Sequence, residues 1–247
     1  PPRSTLFPYT TLFRSRKKES FVYSEIDRKV DSLISIMTLD EKIGQMTLCA
    51  GDMDKTGSFI AKGYEEDIKK GRVGTVFNVC GVENVRKLQD LAVKNTRLRI
   101  PLIFGYDVLH GYKTIFPIPF AEACSWDLEL IEKSARLSAY EACASGLNWT
   151  FSPMVDLTRD PRWGRVAEGS GEDPYLGALV AKAKVIGYQG EKRSDSNTLA
   201  ACVKHFAAYG APQGGRDYNT VDVSERVLRE IYLLTYKAAT EIGRAHV

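Results

Sequence analysis

Three stretches of this 247-residue chain place charged side chains where the fold must have a reason for them. Lys204 and His205 stand near the end of the apolar run 199–206 (LAACVKHF). Burying an ammonium beside an imidazole is costly unless acceptors meet both. A core histidine held by a backbone carbonyl would explain His205 alone, but not Lys204 next to it. Adjacent strand residues point to opposite faces, so one pocket holds both only if the backbone kinks there. Asp107, in GYDVLHG, ends a second apolar run. It either caps the loop that follows or offers two carboxylate oxygens to vicinal hydroxyls. The loop 159–174 (RDPRWGRVAEGSGEDP) carries Arg159, Arg162 and Arg165, the acids Glu168, Glu172 and Asp173, and Trp163. Loops of this length in a compact domain are usually functional. Its charges read either as a solvated ion-pair network or as planar forks that orient hydroxyls and carboxylates, with Trp163 as an apolar wall for a pyranose face. The stretch 207–219 (AAYGAPQGGRDYN) is rich in glycine and can reshape around a ligand.

The elements that must position these residues follow from periodicity. Ser24 and Asp27 open a helix with Ile26, Val30, Leu33, Ile34 and Met37 on one face, and Thr38 with Glu41 forms a capping box before Ile43 and Met46. Strands are then predicted at 73–79 (VGTVFNV), 100–108 (IPLIFGYDV), 147–157 (LNWTFSPMVDL) and 199–206. Helices are predicted at 83–97, at 127–144 before Gly146, from Pro174, and from about Ser224 with Asp222 and Glu225 as another capping box. Four strand–helix units with near-continuous apolar strands predict a parallel sheet covered by helices. A doubly wound sheet and a (β/α)₈ barrel both satisfy that pattern. The polar residues Asn78, Asp107, Asp156 and Lys204–His205 all fall at or just after C-terminal strand ends, which converge on one face in a barrel. Neither GxGxxG after the first strand nor GxxxxGK[ST] occurs, which removes support for a nucleotide-binding open sheet. The expectation is an α/β chain forming an incomplete (β/α)₈ TIM barrel, about the first half of it.

Composition bounds the partners. A hydrophobic share of 44% and a charged share of 26% are those of an ordinary globular protein. The net charge of +3 resides in Arg3, Arg14, Arg16, Lys17 and Lys18; without them 29 basic residues face 31 acidic ones. No polybasic surface therefore points to nucleic acid, and no apolar run reaches the ~18 residues that span a membrane. Three histidines make a multi-histidine metal site hard to build, and no cofactor motif is present. Cys49, Cys80, Cys124, Cys143 and Cys202, without a CxxC pair, read as small buried hydrophobes. The opening PPRSTLFPYTTLFRSR repeats TLF and resembles translated sequencing adapter, as does the closing EIGRAHV. The expected organisation is a non-native tail at 1–16, a partial barrel domain at 17–240 and a second tail at 241–247. True ends would then be missing, and the compartment cannot be read from them.

With MTLDEKIGQM, GYDVLHGYKTIFPIP, DPRWGRVAEGSGEDPYL and KHFAAYGAPQGGRDYNTVDVSE in this order, residues 24–240 resemble the N-terminal domain of family 3 glycoside hydrolases, in particular the bacterial periplasmic β-glucosidase-like members. The resemblance implies retaining hydrolysis of terminal β-D-glucosides or related β-glycosides, and a periplasmic or secreted protein. It also implies that Asp107, Arg165, Lys204 and His205 bind the hydroxyls of the sugar whose bond is cut. The family's nucleophile is an aspartate in a later GFVVSD-like strand, and its acid/base is usually a glutamate in a following α/β sandwich domain. Neither segment is present, so no catalytic residue is expected in this chain, and the expected partners are a small carbohydrate, the C-terminal half-barrel and the sandwich domain. Retention needs two carboxyl groups about 5–5.5 Å apart, which hydroxyl binders cannot replace. Two other readings remain. A β-N-acetylhexosaminidase of the same family would carry a KHFPGHG…DSH-like loop, where this chain reads KHFAAYGAPQGGRDYN. A non-catalytic carbohydrate-binding barrel would need only the binding residues. An isolated half-barrel is expected to be poorly soluble, because its strand edge and one apolar face are uncovered.

Overall fold

A computed structural model describes residues 24–51 and 63–242 of the chain. The predicted tail 1–16 and most of 241–247 lie outside the described residues. Two short helices come first, α1 (Glu25–Ile36) and α2 (Leu39–Gln45), and each has a reciprocal capping box, Ser24 with Asp27 and Thr38 with Glu41. Both boxes were legible because each involves residues three apart. The apolar stripe of α1 is a different matter: Ile26 is 72% exposed, and no residue of the helix is buried.

Next come β1 (Leu48–Ala50), α3 (Tyr64–Lys69), β2 (Thr75–Phe77), α4 (Val82–Asn95), β3 (Ile103–Tyr106), α5 (Pro119–Ala123), α6 (Leu128–Ala144) and β4 (Trp149–Thr150). They are followed by α7 (Pro174–Gln189), β5 (Ala200–Ala201), α8 (Glu225–Val227), a π-helical stretch at Leu228–Tyr232, and α9 (Leu233–Glu241). The sheet thus has five parallel strands, not the four expected, in the order β1-β2-β3-β4-β5. β1 was missed because it is three residues long and carries no β-rich run. The last capping box is also corrected, since the Ser224 side chain accepts from the Val227 N–H in place of Asp222 and Glu225 acting as a pair.

Strand order decides the architecture. In a doubly wound sheet the order reverses, whereas right-handed crossovers that always add the next strand on the same side curl the sheet toward a barrel. No reversal occurs among these five strands, as a TIM barrel requires. Val76, Phe104 and Ala201 are fully buried, as strands covered on both faces should be. Helices α6 and α7 pack at the closest approach the chemistry allows: a Cβ on Gly187 would lie 2.4 Å from the Glu132 carbonyl oxygen.

β4 and β5 pair over only two residues each because Pro153 has no N–H to donate. Separate bonds carry the ladder past it, from Cys202 N–H to Ser152 O (3.1 Å), Lys204 N–H to Pro153 O (3.2 Å) and Val155 N–H to Lys204 O (2.9 Å). The cysteines are free thiols, and the expectation that they are buried is corrected: Cys49, Cys80, Cys143 and Cys202 are half-buried, and Cys124, just after α5, is exposed. Burial pushes the Cys143 thiol up to about 11. An aromatic disulfide reagent at pH 8 should therefore modify Cys124 in a fast phase that Cys124→Ser abolishes, with Cys143 reacting far more slowly. A fast phase surviving in Cys124→Ser would show that another thiol is the accessible one.

Candidate functional site

The C-terminal strand ends bring the four expected residues into one cluster. Asp107 follows β3 directly and accepts from Lys204 Nζ at 2.6 Å through Oδ1. The Asp107 side chain is 44% exposed, so this pair stands at the mouth of the cluster and not in the core. A pair this open contributes at most about 1 kcal/mol to stability, and either partner can turn to a ligand at little cost. Among the described residues no other side chain donates to Asp107, which leaves acceptor capacity toward solvent.

The peptide joining Lys204 and His205 is cis, and the two side chains take different partners. Lys204 turns to Asp107, while His205 turns to Asp156 and Arg165. His205 Nδ1 lies 2.8 Å from Asp156 Oδ2, and the His205 backbone N–H donates to that same oxygen, also at 2.8 Å. Nε2 of the ring lies 3.4 Å from Arg165 Nη1. Arg165 spends its fork on Glu168, with Nε and Nη2 each 2.7 Å from one carboxylate oxygen. Burial pushes the Glu168 carboxyl up, but the Arg165 fork and the charges of Arg165, Lys204 and His205 outweigh it and hold the group below the usual carboxylate range. Tyr209 closes this side. Its ring packs edge-on against His205 at 4.8 Å and under the Arg165 guanidinium at 5.4 Å, and burial, helped by Asp217, raises its phenol.

Trp163 departs from expectation. It is 1% exposed and donates from its indole N–H to Asp217 at 2.9 Å, so it cannot be a wall against a sugar face. It packs edge-on behind Tyr209 at 5.2 Å and thus supports the cluster from the rear. Of the long loop's other charges, Arg162 pairs with Asp160 in solvent, and Asp173 caps α7 by accepting from Leu176 N–H. Ion pairing or capping thus accounts for 160, 162 and 173, while Arg165, itself paired with Glu168, is the loop's arginine that stands beside His205.

Beneath Asp107 lies a buried polar network that sequence reasoning did not find. Lys184, 3% exposed in the apolar helix α7, pairs with Glu122 at 2.6 Å and donates to the Leu109 carbonyl at 3.2 Å. Glu122 also accepts from Ser134 Oγ at 2.7 Å. One turn along α7, the Tyr188 hydroxyl donates to the Val108 carbonyl at 2.6 Å. The two carbonyls after Asp107 are thus fixed by the i, i+4 pair Lys184 and Tyr188. The signal available in sequence was a second lysine, two residues after the exposed Lys182, in a helix of mostly apolar residues.

Among the described residues there is no group of three metal-ligating side chains, and no helix is long and apolar enough to cross a membrane. What the cluster offers is a carboxylate, an ammonium, a guanidinium fork, a ring nitrogen and an aromatic edge around an open mouth. That set suits a small neutral molecule with several adjacent hydroxyls.

Comparison with known proteins gives the same direction. The profile of the Glycosyl hydrolase family 3 N terminal domain matches residues 38–247. A periplasmic beta-glucosidase of Salmonella typhimurium is 45% identical over 221 residues, covering 90% of this chain and 28% of that protein. A beta-xylosidase of Formosa agariphila is 36% identical over 229 residues, covering 88% of this chain and 26% of that protein. Among solved structures, the beta-glucosidase from Listeria innocua in complex with isofagomine superposes with a TM-score of 0.81 at 46% identity, covering 88% of this chain and 31% of that one. The chain therefore spans less than a third of the length of these three relatives.

Proposed function

Because this chain belongs to glycosyl hydrolase family 3, through that family's N-terminal domain, we propose that it supplies the sugar-gripping face of a retaining β-glycosidase acting on terminal β-D-glucosides or related β-glycosides. The observation that carries the reading is the convergence of Asp107, Lys204, His205 and Arg165 at the C-terminal strand ends, from segments up to 97 residues apart. In this reading Asp107 and Lys204 take adjacent hydroxyls as acceptor and donor, and Arg165 and His205 take the next. Asp156 and Glu168 are engaged by His205 and Arg165, and Asp107 is given in this reading to the hydroxyls. None of the three is assigned the attack on an anomeric carbon. The nucleophile and the acid/base would come from other segments of the full-length protein, a C-terminal half-barrel and an α/β sandwich domain, as partners of this face. The names of the relatives support glucosides and xylosides as the substrate class, and the Salmonella protein's name supports a periplasmic or secreted setting. No cofactor or metal enters the reaction as proposed.

The full-length protein carrying this chain should release nitrophenol from p-nitrophenyl β-D-glucoside or β-D-xyloside with retention, and from the β-N-acetylglucosaminide far more slowly. The 247 residues alone should release none above buffer. Turnover by these residues alone would overturn the division of labour, and a full-length protein that binds glucose but turns over no aryl glycoside would favour a carbohydrate-binding barrel.

A further inference from the structure

Asp156 has a completely buried side chain, and a buried carboxylate must be paid for by partners. Its partners all bear on one residue. Oδ2 accepts the His205 backbone N–H and stands 2.8 Å from ring Nδ1. Oδ1 lies 3.1 Å from the Tyr236 hydroxyl, and that hydroxyl donates at 2.6 Å to the His205 carbonyl. Tyr236 is itself 4% exposed, on α9, and its ring packs edge-on against Phe206 at 5.4 Å. The backbone N–H, the backbone carbonyl and one ring nitrogen of His205 are therefore all held from below by two residues. Only Nε2 is left to face the cluster.

The proton on the ring is set from both sides. Oδ2 of Asp156 already accepts an amide proton, so Nδ1 beside it is the donor. Arg165 has only donors to offer, so Nε2 at 3.4 Å is the acceptor. Two independent neighbours call for the same tautomer. From this geometry we infer that Asp156, assisted by Tyr236, is a positioning residue that locks His205 as the Nδ1–H tautomer and presents Nε2 as a hydrogen-bond acceptor to a ligand hydroxyl. Fixing the far nitrogen with a carboxylate is the general way a protein decides what the near nitrogen can do. The tautomer stands on this geometry alone, while the sugar as ligand rests on the function proposed above.

Long-range ¹H–¹⁵N spectra of the full-length protein carrying this chain test it, with His205→Gln identifying the ring signals of His205. The neutral His205 ring should show the Nδ1–H pattern almost alone. Asp156→Asn should give a mixture of tautomers and weaken glucose binding by about tenfold, the scale of one charge-assisted hydrogen bond. Tyr236→Phe, which keeps the ring contact with Phe206, should move the His205 signals less and serves if Asp156→Asn does not fold. A wild-type ring in the Nε2–H form overturns the inference, as do unchanged His205 signals in both variants. If the signals shift as expected and glucose binds neither protein, the positioning role stands and the sugar reading falls.

Discussion

Lys184→Met should lower the unfolding free energy of this domain by about 3–5 kcal/mol, the usual cost of removing one partner of a buried ion pair. Methionine fits the space of the lysine stem, so the loss comes from Glu122, left charged at 7% exposure with only Ser134 to meet it. The second variant makes the cause visible. Lys184→Met combined with Glu122→Leu removes both charges, and most of the loss should return, because apolar replacements of a whole buried pair are often neutral or better. Urea unfolding of the two variants measures this directly. If the single variant matched the unaltered chain, the pair would not be buried as described, and if the double variant were as unstable as the single, packing and not charge would be at fault.

The other large effect concerns binding and should leave stability alone. Asp107→Asn keeps the shape of the side chain and removes its charge, so glucose affinity should fall by roughly 10- to 150-fold, about 1.5–3 kcal/mol for a hydrogen bond to a charged group. In the pair it breaks, Asp107 is 44% exposed and Lys204 16%, and such a bond at the mouth of the cluster holds about 1 kcal/mol of folding energy. Calorimetric titration and a thermal melt on the same sample separate the two. A melt that drops while affinity holds would return Asp107 to the role of a strand-end cap, the alternative its sequence position left open.

The residues that were legible in sequence are those fixed by neighbours close in the chain. Capping boxes at Ser24 and Thr38 span three residues, and the apolar runs of β2 to β5 announce themselves without reference to anything else. Asp107 and Lys204 could be singled out because a charge at the end of such a run is conspicuous wherever its partner lies. Pairings were not legible. Lys184 meets Glu122 across 62 positions, and neither residue carries a mark that names the other. Trp163 misled for a related reason: its loop setting suggested exposure, and only the indole bond to Asp217, 54 residues away, turns it inward. Asp156 was noted as a strand-end polar residue, but its purpose depends on Tyr236 from the last helix, whose position no local pattern could give. Local signals thus revealed which residues needed partners, and tertiary distance concealed who the partners were.

The unbroken strand order carries a consequence for synthesis. Among the described strands each new one adds to the strand made immediately before it, so every new βα unit finds its docking edge already synthesised. At about 5–20 residues per second, units of some 25–50 residues emerge every few seconds, far more slowly than a short helix or local strand pair forms. The sheet can therefore grow as it is translated, from β1 outward. Asp107 would wait on its strand for several seconds before Lys204 arrives, so the cluster at the strand ends is completed late, with only the closing helices still to follow.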